Sequence, residues 1–234
     1  MFRLGPIRSL RDMWSTPIDL YCERLDSSFW AEPVNALSNV AFLLAAWAAF
    51  HLWRRDTNGD VAILALILFA AVVGFGSFAF HTLATRGAML LDVIPIGVFI
   101  YSYFLFALRR FLVLSWPAAL ALLIGFVALS TGLASWVPRS VLNGSAGYLP
   151  ALVALTVIGW LMRTSAAGQS MLVAAAVFVA SLIFRIVDLD VCGAVSVGTH
   201  FLWHILNAVV LYAVLRGAIS ESRNPLTPMK SRGQ

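Results

Sequence analysis

Charged side chains are scarce in this sequence. Only 12% of its 234 residues are charged, whereas 61% are hydrophobic, and the mean hydropathy is +0.88. A soluble domain needs a larger polar share to cover its surface, so this composition excludes an ordinary soluble protein. The composition instead indicates a chain whose main solvent is the lipid bilayer.

Lysine is nearly absent, because the single lysine is Lys230, close to the C-terminus. No lysine therefore lies in an apolar segment, which excludes a retinal protein that binds its chromophore through a lysine Schiff base. The formal net charge of +5 comes almost entirely from arginine. In a membrane protein such an excess is typical of loops on one side of the bilayer or of contacts with anionic head groups, and we expect no nucleic-acid partner.

Long polar loops are also missing, and apolar stretches follow one another closely. Residues 1–33 are polar and aromatic without an uninterrupted apolar core, so we expect no cleaved signal peptide. A spanning helix needs roughly 20 apolar residues, and the candidate stretches are 34–53, 61–82, 88–108, 111–133, 147–162, 170–187 and 196–215. The sequence predicts an all-α integral membrane bundle of seven transmembrane helices over residues 34–216, followed by a flexible tail over 217–234.

The loop arginines predict the orientation of the bundle. If the C-terminus is cytoplasmic, most of them lie on the inner side, and the outer loops keep only Arg86, Arg139 and Arg185. Because positive residues favour cytoplasmic loops, we expect the N-terminus outside and the C-terminus in the cytoplasm, although the N-terminal arginines argue the other way. The short loops and compact length favour a bacterial inner membrane, and no obligate protein partner is evident.

Five polar side chains inside the predicted spans are the candidate functional residues, because ionisable groups are costly there and therefore indicate function. They are Ser77, His81, Asp92, His200 and His204. These five residues lie near the ends of spans on one membrane face. This face holds the N-terminal segment, the end of each even-numbered span and the start of each odd-numbered span, so the five residues meet at one depth. Ser77 and His81 are four residues apart and share a helix face, as do His200 and His204.

The three histidines predict a catalytic zinc site. Three imidazoles with an open fourth position can lower the pKa of bound water to about 7 and polarise a carbonyl group. Two alternatives stay open for a histidine in a membrane bundle. It can simply hydrogen-bond a neighbouring helix, as we expect for His51 at the end of the first span, and paired histidines can also ligate haem.

A second group of metal-ligand side chains lies on the same face, in the N-terminal segment: Asp19, Glu23, Asp26 and Glu32. Carboxylates at this density suit a hard cation such as calcium, although a solvated acidic stretch beside Arg24 explains them equally well. Cys22 and Cys192 share this face too. If the face is periplasmic or lumenal, they can form a disulfide that ties the acidic segment to the last helix.

Five motifs carry a resemblance over nearly the whole chain. They are DLYCE at residues 19–23, FWAEPVNALSN at 29–39, GFGSFAFH at 74–81, the aspartate of LLDVIP at 90–95, and THFLWH at 199–204. Together they resemble the alkaline ceramidases, within a wider group of seven-helix membrane hydrolases that includes the adiponectin and progestin receptors. The resemblance implies a zinc-dependent intramembrane hydrolase that cleaves the amide of ceramide, or of a similar N-acyl lipid, to a sphingoid base and a fatty acid.

The resemblance also implies a role for each candidate residue. It implies zinc binding by the three histidines, proton transfer by Asp92, and a hydroxyl near the metal from Ser77. It further implies calcium ligands at Asp19, Tyr21, Glu23 and Glu32, with backbone carbonyls of Tyr21 and Leu25 contributing. The sequence departs from the animal enzymes here, because Asp19 lies one residue further from the aromatic-Cys-Glu run and Leu25 replaces a polar side chain.

Two other classes of protein remain as alternatives. A non-enzymatic lipid receptor or sensor would keep zinc for structure, and release of fatty acid by the purified protein would argue against it. A haem-binding membrane protein needs only two axial histidines and leaves the third histidine and Asp92 unexplained. A transporter is disfavoured, because the ionisable groups gather at one face instead of tracing a path across the membrane.

Overall fold

The computed structural model describes residues 10–57 and 59–223, and all regular secondary structure in these ranges is helical. The α-helices of these ranges are α1 (Leu10–Ser15), α2 (Pro33–Ser38), α3 (Val40–Asp56), α4 (Val61–Leu83), α5 (Arg86–Arg110), α6 (Trp116–Trp136), α7 (Leu149–Leu161), α8 (Ala166–Ile186) and α9 (His200–Arg223). The predicted all-α class is confirmed. The outer parts of the two predicted terminal segments, 1–9 and 224–234, lie outside the described residues.

Six of these helical segments are long and apolar enough to cross a bilayer. They are Pro33–Asp56, which joins α2 and α3, and then α4, α5, α6, α8 and α9. The protein is therefore a multi-pass integral membrane protein. The remaining apolar helix, Ala146–Leu161, is about 24 Å long at 1.5 Å per residue, which is shorter than the roughly 30 Å hydrocarbon core.

Apolar side chains cover both the inside and the outside of the bundle. Its core contains fully buried residues such as Ile63, Ala70 and Leu215, while large apolar residues such as Leu44 and Ile124 are exposed. An outer surface of this kind is stable when lipid tails, instead of water, surround it. α9 lies near the centre of the bundle, because it packs against α3 and α8 and also contacts α2 and α4.

Two helix boundaries differ from the sequence prediction. α6 begins at Trp116 instead of 111, because Pro117 lies in its first turn, where proline is favoured, and the chain before it forms a turn. α9 continues to Arg223, so the tail predicted from 217 begins too early. The extension is packed against α8, since Ile219 is buried and the Glu221 carboxylate accepts a hydrogen bond from the Ala167 amide at 3.5 Å.

The N-terminal segment is attached to the tight turn between α4 and α5. Ala84 ends α4 in the left-handed conformation, with φ of 42°, and the Thr85 side chain caps the start of α5. The Ile18 amide donates to the Ala84 carbonyl at 2.7 Å, and the Arg86 amide donates to the Thr16 carbonyl at 3.1 Å. These bonds hold the segment that carries the acidic residues against the end of α4 that carries His81.

Candidate metal centre

The structure brings the three predicted zinc ligands together. His81 lies in the last turn of α4, and His200 and His204 lie in the first two turns of α9. One ligand atom from each lies within 4.8 Å of the others, and all three side chains are buried. Within the described ranges this is the one group of three or more histidine, cysteine or acidic residues with spacing suited to a metal ion.

The side chain of His81 is oriented by Glu32. The Glu32 carboxylate lies 2.6 Å from His81 Nδ1. Because a carboxylate accepts hydrogen bonds, Nδ1–H donates and Nε2 keeps a free lone pair. Nε2 is buried and has no hydrogen-bond partner among the described residues. A histidine that donates one ring N–H to a carboxylate and offers the other nitrogen is the usual arrangement of a metal ligand.

His204 is oriented in a similar way by a hydroxyl group. Ser38 Oγ donates to the Asn35 carbonyl at 2.8 Å and lies 2.7 Å from His204 Nδ1. Since the hydroxyl hydrogen is used by Asn35, Ser38 accepts from His204 Nδ1–H and leaves Nε2 as the ligand nitrogen. His200 has a buried Nδ1 without a partner in the described chain, and its ring stacks on Tyr21 with centroids 3.6 Å apart.

The centre fits a zinc ion by the chemistry of its donors. Unpartnered buried nitrogens cost free energy unless a ligand satisfies them, and His81 Nε2 and His200 Nδ1 are two such atoms. Three imidazole ligands leave a fourth tetrahedral position for water or substrate, as in catalytic zinc sites. Both cysteines of the chain form a disulfide, so neither supplies a thiolate.

Asp92 and Ser77 lie beside the histidines because α4 and α5 touch closely. A Cβ atom on Gly76 would collide with the Leu91 carbonyl oxygen, so only glycine permits this approach. The Ser77 side chain faces the Asp92 carboxyl group, which also interacts with His81. Asp92 Oδ1 is buried without a hydrogen-bond partner in the described residues. This oxygen is therefore available to a substrate or a water molecule.

A large cavity opens next to these residues. Its volume is about 970 Å³, and its wall includes Tyr21, Asp92, Arg139 and Arg185. A narrower apolar pocket of about 90 Å³ runs deeper into the bundle and shares lining residues with the cavity, namely Ile96, Ile100, Tyr148 and Trp203. Burial raises the pKa of Tyr21 far above its usual value, so its phenol stays neutral in the cavity wall.

The acidic side chains of the predicted calcium set make different contacts in the structure. Asp19 is exposed and lines the cavity, and Leu25 is 88% exposed. Glu23 accepts hydrogen bonds from the Val34 and Asn35 amides at 2.6 and 2.8 Å, and so caps α2. Burial raises the pKa of Glu23, and these two bonds partly oppose that shift. Neither Glu23 nor Glu32 joins Asp19 in a metal-sized group within the described chain.

The disulfide and the distant histidine lie where the sequence predicts. Cys22 and Cys192 are joined, with Cα atoms 5.3 Å apart, so the N-terminal segment is linked covalently to the loop before α9. His51 is exposed near the end of α3 and contacts Trp47. It takes no part in the histidine group.

Asp188 is a site residue that the sequence does not reveal. Its buried carboxylate accepts hydrogen bonds from the amides of Cys22 at 3.0 Å, Thr199 at 2.7 Å and His200 at 2.9 Å. It therefore caps the helix that carries two of the histidines. Gly198 leaves space for it, because a side chain there would collide with the carboxylate. No local pattern indicates this role, since Asp188 precedes the helix by twelve residues.

These observations define a class of protein, a multi-pass helical membrane protein with a buried three-histidine centre beside a cavity. A family model described as Ceramidase matches residues 16–222, so the chain belongs to the ceramidase family, as the sequence motifs predict. A search of curated proteins gave no match. Family membership indicates a hydrolase that acts on the amide bond of ceramide.

Proposed function

We propose that the protein is a zinc-dependent intramembrane hydrolase that cleaves the amide of ceramide or a similar N-acyl lipid. The observation that carries this proposal is the convergence of three buried imidazoles, two of which have unpartnered nitrogens, next to an unpartnered carboxylate oxygen of Asp92. The cavity beside them continues into an apolar pocket of the kind an acyl chain needs. The products are a sphingoid base and a fatty acid.

The roles of the residues follow from their positions. A bound zinc ion would supply Lewis acidity and would lower the pKa of water. Asp92 accepts a proton from the attacking water and delivers it to the leaving amine as the amide C–N bond breaks and the new C–O bond forms. The Ser77 hydroxyl, which faces Asp92, donates a hydrogen bond to the carbonyl oxygen as negative charge develops there.

Seven crossings of the membrane are part of this proposal. His81 ends the second span and therefore lies on the side of the N-terminal segment, and His200 begins the last span at the same level. This arrangement requires an odd number of spans, so the short apolar helix α7 must also cross. The cavity that holds Asp92 is lined by the end of α6, by Gly147 and Tyr148 just before α7, and by the end of α8, as seven crossings require.

The disulfide supports an orientation. Disulfides persist in oxidising compartments, so the face that holds Cys22 and Cys192 is periplasmic or lumenal. On this basis the proposal includes an N-terminus outside and a C-terminus in the cytoplasm, the orientation that the distribution of loop arginines also favours. A bacterial inner membrane is the proposed location.

The spacing of the rings argues against a haem protein. The centroids of the three histidine rings are 4.6 to 5.2 Å apart, which leaves no room for a porphyrin plane between any two of them. A lipid sensor with structural zinc stays the second candidate. A sensor, however, has no need of an unpartnered carboxylate oxygen beside an open metal position.

The deciding experiment is an assay on the purified protein in lipid nanodiscs. We expect release of fatty acid from ceramide, complete loss of release after removal of the metal, and recovery on addition of one equivalent of zinc but not of magnesium. Full turnover by metal-free protein would contradict the zinc-dependent hydrolase. Zinc binding without cleavage of any N-acyl lipid would favour the sensor.

A further inference from the structure

Arg24 lies at the centre of the acidic N-terminal segment and is buried there. Its Nε donates to Glu32 Oε1 at 2.5 Å, its Nη1 to the Asp26 carbonyl oxygen at 3.1 Å, and its Nη2 to the His81 carbonyl oxygen at 3.2 Å. One guanidinium therefore bridges a carboxylate and two main-chain carbonyl groups. The side chain of Arg24 is only 5% exposed, and that of Glu32 only 2%.

One of these acceptors, the Glu32 carboxylate, is a predicted calcium ligand. Calcium takes six to eight oxygen ligands at about 2.3–2.6 Å, and here an arginine N–H group already occupies one oxygen of that carboxylate. The other Glu32 oxygen bonds His81 and the Asn35 side-chain amide, at 2.6 and 3.2 Å. Both Glu23 oxygens accept backbone amides instead. The residues present do not fit a calcium ion.

We propose that the Arg24 guanidinium is the built-in cation of this segment, that it replaces calcium, and that it positions His81 for metal binding. The third part rests on the proposed function, which makes His81 a zinc ligand. Arg24 contacts neither substrate nor metal, so it is a positioning residue.

Arg24 holds His81 from two directions. Through Glu32 it orients the imidazole ring, because the Glu32 carboxylate bridges Arg24 and His81 Nδ1. Through the His81 carbonyl it holds the backbone at the C-terminal end of α4, where carbonyl groups lack helical partners and positive charge is favourable. Without Arg24, the Glu32 carboxylate would be a buried charge without its cation, which is costly.

The first test needs no substitution. Calcium chloride is titrated into the zinc-loaded wild-type protein by isothermal titration calorimetry, and turnover is measured with free zinc held constant. We expect no binding heat and a change in turnover below about twofold up to about 1 mM calcium, the range of weak calcium modules. Micromolar calcium binding, or strong activation by calcium, would overturn the proposal.

The second test measures zinc affinity by competition with a chromophoric chelator, which requires no substrate. We expect Arg24→Gln to weaken zinc binding by about 10–100-fold, the usual cost of losing an outer partner of a metal ligand. Arg24→Lys keeps the charge but lacks the planar guanidinium that donates to three oxygens. Its zinc affinity should therefore lie between those of the wild type and Arg24→Gln. Arg54→Gln, which removes an exposed arginine at the far end of α3, is the matched control and should bind zinc normally.

The outcomes separate this inference from the proposed function. Wild-type zinc affinity in Arg24→Gln would overturn the positioning role. If Arg24→Gln does not fold, the comparison of Arg24→Lys with wild type and the calcium titration decide instead. If calcium fails to bind and zinc affinity falls as expected, but no N-acyl lipid is cleaved, the proposed hydrolase fails while the role of Arg24 stands.

Discussion

The three-histidine centre and the acidic N-terminal segment are both rich in metal-ligand side chains, but they differ in which atoms remain free. In the histidine centre, His81 Nε2 and His200 Nδ1 are buried without partners among the described residues. In the acidic segment, the oxygens of Glu23 and Glu32 accept hydrogen bonds from backbone amides, Arg24, Asn35 and His81. Buried ligand atoms without partners, more than residue type, therefore distinguish a candidate metal site from a polar cluster whose hydrogen bonds are already made within the protein.

Glu32 connects the two regions. One of its oxygens bonds Arg24 in the acidic segment, and the other bonds His81 in the histidine centre. Through Glu32 the acidic segment is therefore in direct contact with the histidine centre. The disulfide from Cys22 and the Asp188 carboxylate add two further links between this segment and the start of α9.

The largest effect is expected from His204→Ala. Loss of one of three imidazoles leaves too few ligands to hold zinc, so both bound zinc and turnover should fall below detection. Elemental analysis and fatty-acid release measure the two quantities. His51→Ala removes an exposed histidine outside the centre and should leave both unchanged. Stoichiometric zinc in His204→Ala would contradict the assigned centre.

Asp92→Asn should separate metal binding from chemistry. The unpartnered oxygen of Asp92 lies beside the centre, but Asp92 does not belong to the group of three histidines that would bind the metal. Zinc content should therefore stay normal. Turnover should fall by about 10²–10⁴-fold, the contribution of a general acid–base group. Asp190→Asn, an exposed aspartate in the same cavity wall, is the control. Normal activity of Asp92→Asn would remove the proposed base.

Glu32→Gln tests the residue shared by both regions. A neutral amide cannot hold both His81 Nδ1–H and the Arg24 guanidinium as a carboxylate does, so zinc affinity should fall by about 10–100-fold. Glu23→Gln is a matched change in an acid that caps α2 without contacting a histidine. Its thermal stability should fall while zinc affinity remains. Equal loss of zinc from both variants would contradict the distinction between the two glutamates.

The sequence predicts the convergence of the three histidines, because the order and direction of the spans decide which helix ends meet. The parity of the spans and the four-residue spacing of His200 and His204 suffice to bring three imidazoles to one level. The contacts that orient the histidines and cap their helix cannot be predicted in this way. Ser38 meets His204 across 166 residues, and Asp188 meets the amide of Cys22 across the same separation. Such contacts depend on how helices pack and leave no local pattern.

The calcium set and the helix α7 show what residue type and hydropathy alone leave undecided. Asp19, Glu23 and Glu32 have the right chemistry for calcium, but the direction of the Arg24 side chain, which spacing does not reveal, satisfies Glu32 internally. Residues 147–162 form an apolar run, but its first residues adopt a 3₁₀ turn before Pro150, and the α-helix is short. Helix ends depend on such turns more than on hydropathy.

The smallest effect is expected from Asp19→Asn, which tests the acidic segment at its exposed end. Asp19 is exposed in the cavity wall and accepts no hydrogen bond from the described residues. Zinc content, calcium response and turnover should therefore stay within about twofold of wild type, as for most surface substitutions. Asp188→Asn makes the same chemical change at a buried acid that caps α9. This variant should lose zinc affinity. The side-chain amide of asparagine is a weaker acceptor than a carboxylate for the backbone N–H groups of Cys22, Thr199 and His200. If Asp19→Asn abolished activity and calcium restored it, Asp19 would be part of a working calcium site, and the acidic segment would have to be regarded as a second metal centre.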